Sequence, residues 1–303
     1  MECKSGSDSS KVAYTITVSK NGGANFTTIT AAVNSIPTTN DQWIKISVSP
    51  GTYQEQVQVY NKQCIVLEGQ DRSTTTITYG AHASTQESIT FDVFADNFVA
   101  RGITFENSYN RPLTPYVKQA PAVALRAFGD KHAYYSCGFL GYQDTLWDQQ
   151  GRHYFSFCYI EGTVDFIFGS GQSVYKRCHM KVTGSGYITA QGRSSAQDQS
   201  GYVFIKCRVL GTGLVALGRA YGPFSRVIFM NSYFENVIAP QGWSIWGQTG
   251  HENDVTYAEV NCAGPGADTS KRVPWVKKLS GTELRQYERE VFIDQEGWIA
   301  KLP

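Results

Sequence analysis

Short stretches in which apolar and polar positions alternate recur along most of the chain, with turns between them. Val12–Ser19 (VAYTITVS) alternates with period two and ends at Gly22-Gly23, the pattern of a half-buried strand. From Ile44 onward the runs IKISVSP, CIVLEGQ, TTITYG, ITFDVFA and FVARGITFEN repeat it. One segment follows a different period. Phe26, Ile29, Ala32, Val33 and Ile36 recur at three- and four-residue steps before Pro37, which predicts an amphipathic helix. It is the one helix expected in the first 270 residues. At the front of a β chain it suits a cap over an open sheet end.

The strands carry a longer repeat. Aligning Cys137, Cys158, Cys178, Cys207 and Ser232 gives steps of 21, 20, 29 and 25 residues. Three positions before each stands an aromatic residue: Tyr134, Phe155, Tyr175, Phe204 and Phe229. Two positions after each stands an apolar one: Phe139, Ile160, Met180, Val209 and Phe234. The period is too short for a four-stranded propeller blade, and no helix recurs within it as in a TPR or ankyrin unit. The expected fold is all-β: a right-handed parallel β-helix, one coil per repeat, with inward side chains stacked in ladders. The cysteines then form a small apolar ladder. Adjacent coils also bring Cα atoms within disulfide reach, so a Cys137–Cys158 or a Cys158–Cys178 bond stays open. Past Val260 the repeat stops. Leu279–Val291 is expected to be helical and to fold back on the coil with Trp298, so a helical and loop extension closes the chain. Residues 1–11 are expected to be a disordered tail and 12–303 a single domain.

Composition narrows the function. The 303 residues are 41% hydrophobic and 17% charged with a net charge of +1, which gives no reason to expect nucleic acid or a membrane surface as partner. No run of 18 apolar residues exists to span a bilayer. Met1–Lys11 lacks the apolar core of a signal peptide and reads as the start of a mature secreted chain. Seven cysteines is an odd number, so at least one is free or bonded outside the chain. There is no CxxC and no Cys/His cluster with zinc-like spacing, so no metal site is expected. Asn25-Phe26-Thr27 is a glycosylation sequon, a weak signal by itself.

Candidate chemistry lies between Gly141 and Gly169. Asp144 and Asp165 are 21 residues apart, the same step that separates Cys137 from Cys158. On neighbouring coils they would sit one strand spacing apart, roughly 4.8 Å. Two carboxylates that close do not both ionise cheaply, so one becomes a proton donor and the other a base or nucleophile. Gln143 is an amide able to donate to a developing oxyanion. Asp165 stands among Val164, Phe166, Ile167 and Phe168, where a charge needs a partner, and Arg219 is the best placed. Trp243, Trp246, Tyr142 and Tyr221 offer flat surfaces to sugar rings. Buried Asp–Arg pairs and stacked aromatics also occur as plain architecture. The carboxylate spacing equally suits a retaining glycosidase, so spacing leaves ester and glycoside cleavage both open. His153 and His179 read as surface or ladder residues, and His132 and His251 lack a partner at catalytic spacing. Gln191 and Arg193 border a groove or make a structural turn. Lys176-Arg177 and Lys277-Lys278 read as solvated faces.

The motifs decide between these chemistries. GYQDTL at 141–146, GTVDFIFG at 162–169, TAQGR at 189–193 and LGR at 217–219 stand in the order seen in pectin methylesterases. QAPAVAL at 119–125, GW at 242–243 and FTTITAAVNSIP at 26–37 extend the match, so the chain resembles that family, plant type with a pollen-type look, from about Tyr14 to Pro303. The resemblance implies a secreted β-helix enzyme of the plant cell wall. It would remove methyl esters from homogalacturonan without metal or cofactor. On the matching positions Asp165 would be the nucleophile and Asp144 the general acid, then the base. Gln143 would stabilise the oxyanion and Arg219 would hold Asp165 ionised. Gln119, Tyr142, Phe168, Tyr221, Trp243 and Trp246 would contact substrate. A monomer is expected, with a proteinaceous inhibitor covering the groove as the implied partner. Two departures stand out. The family has Gln directly before AVAL, where this chain has Pro121, which offers no donor, and Gln119 lies two residues earlier. Either the loop brings Gln119 in, or one donor is lost at a cost on the order of a hundredfold to a thousandfold in rate. The family's LGRPW reads LGRAY, so Ala220 and Tyr221 replace Pro and Trp. The expectation is an active enzyme with altered efficiency or substrate preference. A lyase or glycosidase on a similar coil, or a pectin-binding protein without catalysis, are the competing readings.

Overall fold

The structure, a computed structural model, describes residues 2–4, 11–111 and 118–303. Every strand pairing in it is parallel, and the strands wind into a coil. Ten strands, from Tyr14–Val18 to Thr256–Val260, stack in chain order into one sheet. The strands between them build a second sheet that bends into two limbs. Turning from the first sheet into the second requires a sharp corner. Ser136, Phe157, Arg177, Lys206 and Asn231 supply it with φ between 51° and 56°, each one residue before Cys137, Cys158, Cys178, Cys207 or Ser232. That left-handed conformation is costly for residues with a Cβ, and the paired strands on both sides hold it.

The ladders follow the repeat. Tyr134, Phe155, Tyr175, Phe204 and Phe229 stack ring on ring, with centroids 4.8, 4.4, 4.6 and 4.4 Å apart. Phe139, Ile160, Met180, Val209 and Phe234 pair in register across coils and are fully buried. Cys137, Cys158, Cys178 and Cys207 are buried and free, so the small apolar ladder is the outcome and neither cross-coil disulfide forms. Their thiols point at backbone carbonyls instead: Cys158 Sγ donates to Tyr134 O at 3.4 Å and Cys207 Sγ to Tyr175 O at 3.3 Å. The disulfide is Cys3–Cys64. It corrects the expectation of a disordered tail for the described part of residues 1–11. Lys4 N also donates to Asp41 O at 2.8 Å, and Lys11 Nζ to Leu302 O at 2.7 Å. Residues 1 and 5–10 lie outside the described residues.

The helix begins later than its apolar period suggests. Phe26 pairs with Val18 as a bridge, Thr28 caps the helix by accepting from Ala31 N, and the helix runs Ile29–Ser35. Glu55 accepts from Ile29 N and Thr30 N at 3.0 and 2.9 Å, which matches a carboxylate to the helix N-terminus. Ile29, Ala32 and Val33 are buried against the first coils. At the other end, the expected Leu279–Val291 helix is two pieces, Gly281–Arg285 and Arg289–Phe292. In one continuous helix Tyr287 and Phe292 would point roughly 140° apart. The break lets both be buried against Val174, Val203 and Ile228 on the outer face of the first sheet, together with Trp298. That sheet is therefore covered on both faces, and its strands are near-continuous apolar runs.

Candidate active site

The second limb of the bent sheet carries the cleft. Gln143 bridges Val164 and Asp144 N donates to Val164 O at 3.0 Å, so Asp144 and Asp165 hold equivalent places on neighbouring coils. Both backbones are left-handed, with φ of 60° and 48°, an outlier conformation that Asp tolerates better than most residues and that aims both side chains outward. The turns are tight. A Cβ on Gly141 would lie 2.6 Å from Thr145 Oγ1, and one on Gly162 2.2 Å from Phe166 Cβ. Glycine at the head of GYQDTL and of GTVDFIFG is thus a packing requirement.

Arg219 comes from the strand Ala216–Ala220, two coils on from Asp165. Its Nε donates to Asp165 Oδ1 at 2.8 Å and its Nη2 to Oδ2, so the guanidinium grips the carboxylate with both arms. Trp246 lies 4.0 Å from that guanidinium, with Tyr187 and Tyr221 at 5.2 and 5.9 Å. These contacts fix the plane of the charge. Asp165 is buried, and desolvation pushes its pKa up while the hydrogen bonds and charge of Arg219 oppose that rise. Asp144 has no guanidinium of its own. Burial, then the charge of Asp165, push it up to about 7, against Arg219 and a hydrogen bond from Thr85. The proton shared by this pair therefore belongs on Asp144. Gln143 Oε1 accepts from Gln119 Nε2 at 3.0 Å, which leaves the Gln143 amide N–H groups free for another acceptor. A cleft of about 580 Å³ opens over the two aspartates, walled by Trp147, Phe168, Tyr221, Trp246 and Gln143. Such a site can attack an ester carbonyl, receive negative charge and donate a proton.

A family model described as Pectinesterase matches residues 15–296. The chain belongs to the pectinesterase family. It is 46% identical over 297 residues to probable pectinesterase 29 of Arabidopsis thaliana, which covers 94% of this chain and 89% of that one. Among solved structures it is similar to pectin methylesterase from carrot, with TM-score 0.89, 32% identity and 97% of each chain covered. The Aspergillus niger enzyme gives TM-score 0.83 at 29% identity, over 100% of this chain and 99% of that one. Membership makes the chain a carboxylic ester hydrolase, on the parallel β-helix expected.

Within this pectinesterase, not every expected substrate contact reaches the cleft. Trp243 is 1% exposed, donates its Nε1 to Glu259 at 3.0 Å and stacks on Tyr257. It belongs to the core, because it is the inward residue of Trp243–Ser244. Tyr142 opens instead on a neighbouring cavity with Glu106, Arg111 and Glu161, on the other side of the corner from Gln143. Phe168, Tyr221 and Trp246 do line the cleft, and Gln119 reaches it through Gln143. Gln191 and Arg193 make a structural turn: Gln191 Oε1 accepts from Arg193 N and Arg226 N. His132 and His153 are interior and stack at 4.7 Å. Trp147, Thr85 and Gln86 were absent from the expectation. Trp147 had a signal, since it pairs with Phe168 one 21-residue step away. Thr85 and Gln86 arrive from a distant loop without any. Among the described residues no group of three His, Cys, Asp or Glu is placed to hold a metal.

Proposed function

We propose that this pectinesterase hydrolyses the C6 methyl esters of homogalacturonan through Asp165 as nucleophile. The observation that carries the reading is Asp165 clamped by both arms of Arg219 beside Asp144, whose pKa burial and the charge of Asp165 push up to about 7. Asp165 attacks the C6 carbonyl, and the tetrahedral oxyanion accepts hydrogen bonds from the Gln143 amide. As the C–O bond to the methoxy group breaks, Asp144 gives its proton to that oxygen and methanol leaves. Asp144, now a carboxylate, takes a proton from water, whose oxygen attacks the acyl-enzyme anhydride and frees Asp165. Trp147, Phe168, Tyr221 and Trp246 give sugar rings flat contact.

We also infer a secreted monomer acting on wall pectin, with a proteinaceous inhibitor over the cleft as regulatory partner. The plant relatives support the wall setting. Tyr221 and Trp246 are exposed and stacked at the rim, where a covering partner would bury them. The test is methanol release from highly methylated pectin with EDTA present. Wild type should release methanol and Asp165→Asn should lose at least about a thousandfold. A folded wild type that binds pectin yet releases none would sink the mechanism, and would point to Pro121.

A further inference from the structure

A second surface of the coil, outside the cleft, carries cations that no carboxylate of the described residues pairs within 4 Å. The strands Tyr159–Gly169 and His179–Gln191 shift register after Gly162 and Val182. The cleft lies on their second limb. The first limb, continued by Arg208–Gly211 and Tyr233–Phe234, forms the other face. Arg177 and Lys206 occupy the same left-handed corner on successive coils, and Arg208 pairs in register with His179. Lys181 stands two residues further along. Arg72 reaches in from an earlier coil, donating to Phe157 O at 2.8 Å.

Several observations join these groups into one field. Arg177 lies over the Phe157 ring at 5.4 Å and Arg208 over the Tyr233 ring at 5.2 Å. Both rings are exposed, 51% and 39%. Arg208 and Arg72 both act on His179. Among the described residues no carboxylate lies within 4 Å of Arg72, Arg177, Lys181, Lys206 or Arg208. Glu161, the register neighbour of Lys181, is taken by Arg111. The whole chain has a net charge of only +1, so this excess is local.

We propose that this face binds a stretch of de-esterified galacturonan, the polyanion that the reaction leaves behind. Corner cations on successive coils recur at about one strand spacing, ~4.8 Å, and every sugar of the de-esterified polymer carries a carboxylate. Arginine forks match carboxylates, and exposed Phe157 and Tyr233 give the sugar rings apolar contact. The choice of galacturonan over another polyanion rests on the ester hydrolase reading above. A product segment held here would keep the enzyme on the polymer while the cleft meets another ester.

The test measures the affinity of the full chain for polygalacturonate in wild type and in Arg177→Gln/Lys206→Gln/Arg208→Gln. The triple variant should bind about tenfold more weakly, and the wild-type affinity should fall with added salt. The initial rate of methanol release from saturating, highly methylated pectin should not change. Arg177→Lys/Arg208→Lys keeps the charge without the forks and should bind more tightly than the triple variant, which separates charge from folding. Unchanged affinity in the triple variant overturns the proposal. Heparin bound as tightly as polygalacturonate at equal ionic strength overturns the choice of galacturonan. Binding lost in the triple variant of a chain that releases no methanol upholds a polyanion face and sinks the catalytic reading, so the two failures are distinct.

Discussion

Asp144 and Asp165 differ because one has a guanidinium and the other does not. That asymmetry has two measurable consequences. The first concerns rate: the proposed mechanism needs Asp144 protonated, and burial with the charge of Asp165 holds its pKa at about 7. Methanol release under kcat/KM conditions should therefore fall as pH rises through about 7, and a limb that stays flat to pH 9 would remove Asp144 as the acid. The second concerns stability. A carboxyl whose pKa is raised by folding costs stability as pH rises, starting near its ordinary value of 3.8 and complete above about 7. Asp144→Asn removes that cost and fits the left-handed backbone, which Asn tolerates. Its stabilisation over wild type in urea melts should be larger at pH 8 than at pH 5, by on the order of 2 kcal/mol. An equal difference at both pH values would mean that Asp144 is not desolvated as described.

At the scale of elements, the loop that carries Pro121 decides how the oxyanion donor is held. Gln119 turns the Gln143 amide by occupying its oxygen. Gln119→Ala should lower kcat by about tenfold with little change in KM, since the oxyanion exists only in the transition state. A change in KM alone would make Gln119 a binding residue. Whether Gln119 would reach the site was left open by the sequence, because a proline two residues on does not say where a loop side chain lands. The coils were far more legible. The aromatic, cysteine and apolar positions recur at fixed offsets, and each offset became one ladder. The same arithmetic placed Asp144 beside Asp165 and would have found Trp147 beside Phe168. It failed where the direction of a side chain depends on a strand too short to show its alternation. In GWSIW, Trp243 turns inward and Trp246 outward, and two tryptophans three residues apart carry no sign of which does which. The break between the two C-terminal helices was likewise invisible, because it answers to what Tyr287 and Phe292 bury rather than to any helix breaker.

On the scale of the whole molecule, stability and catalysis are separable along the coil axis. The two aspartates sit mid-coil, whereas the chain start is tied to the early coils through Cys3–Cys64, a closure spanning 61 residues. In the loop-entropy model a closure of that length contributes about 4 kcal/mol by restricting the unfolded chain. The bond also holds Lys4 beside Asp41 and Gln42. Among the described residues, neither cysteine of the bond lines the cleft. Replacing both cysteines by serine should therefore lower the unfolding free energy by about 2–4 kcal/mol and leave the rate of methanol release per folded molecule unchanged at 25 °C. Urea melts beside a methanol assay on the same preparation check both halves. A variant that keeps its stability would show that the unfolded chain gains no freedom from losing the bond. One that keeps its fold but loses activity would show that the early coils and the cleft are mechanically coupled, contrary to a stack whose contacts run between coils one or two steps apart.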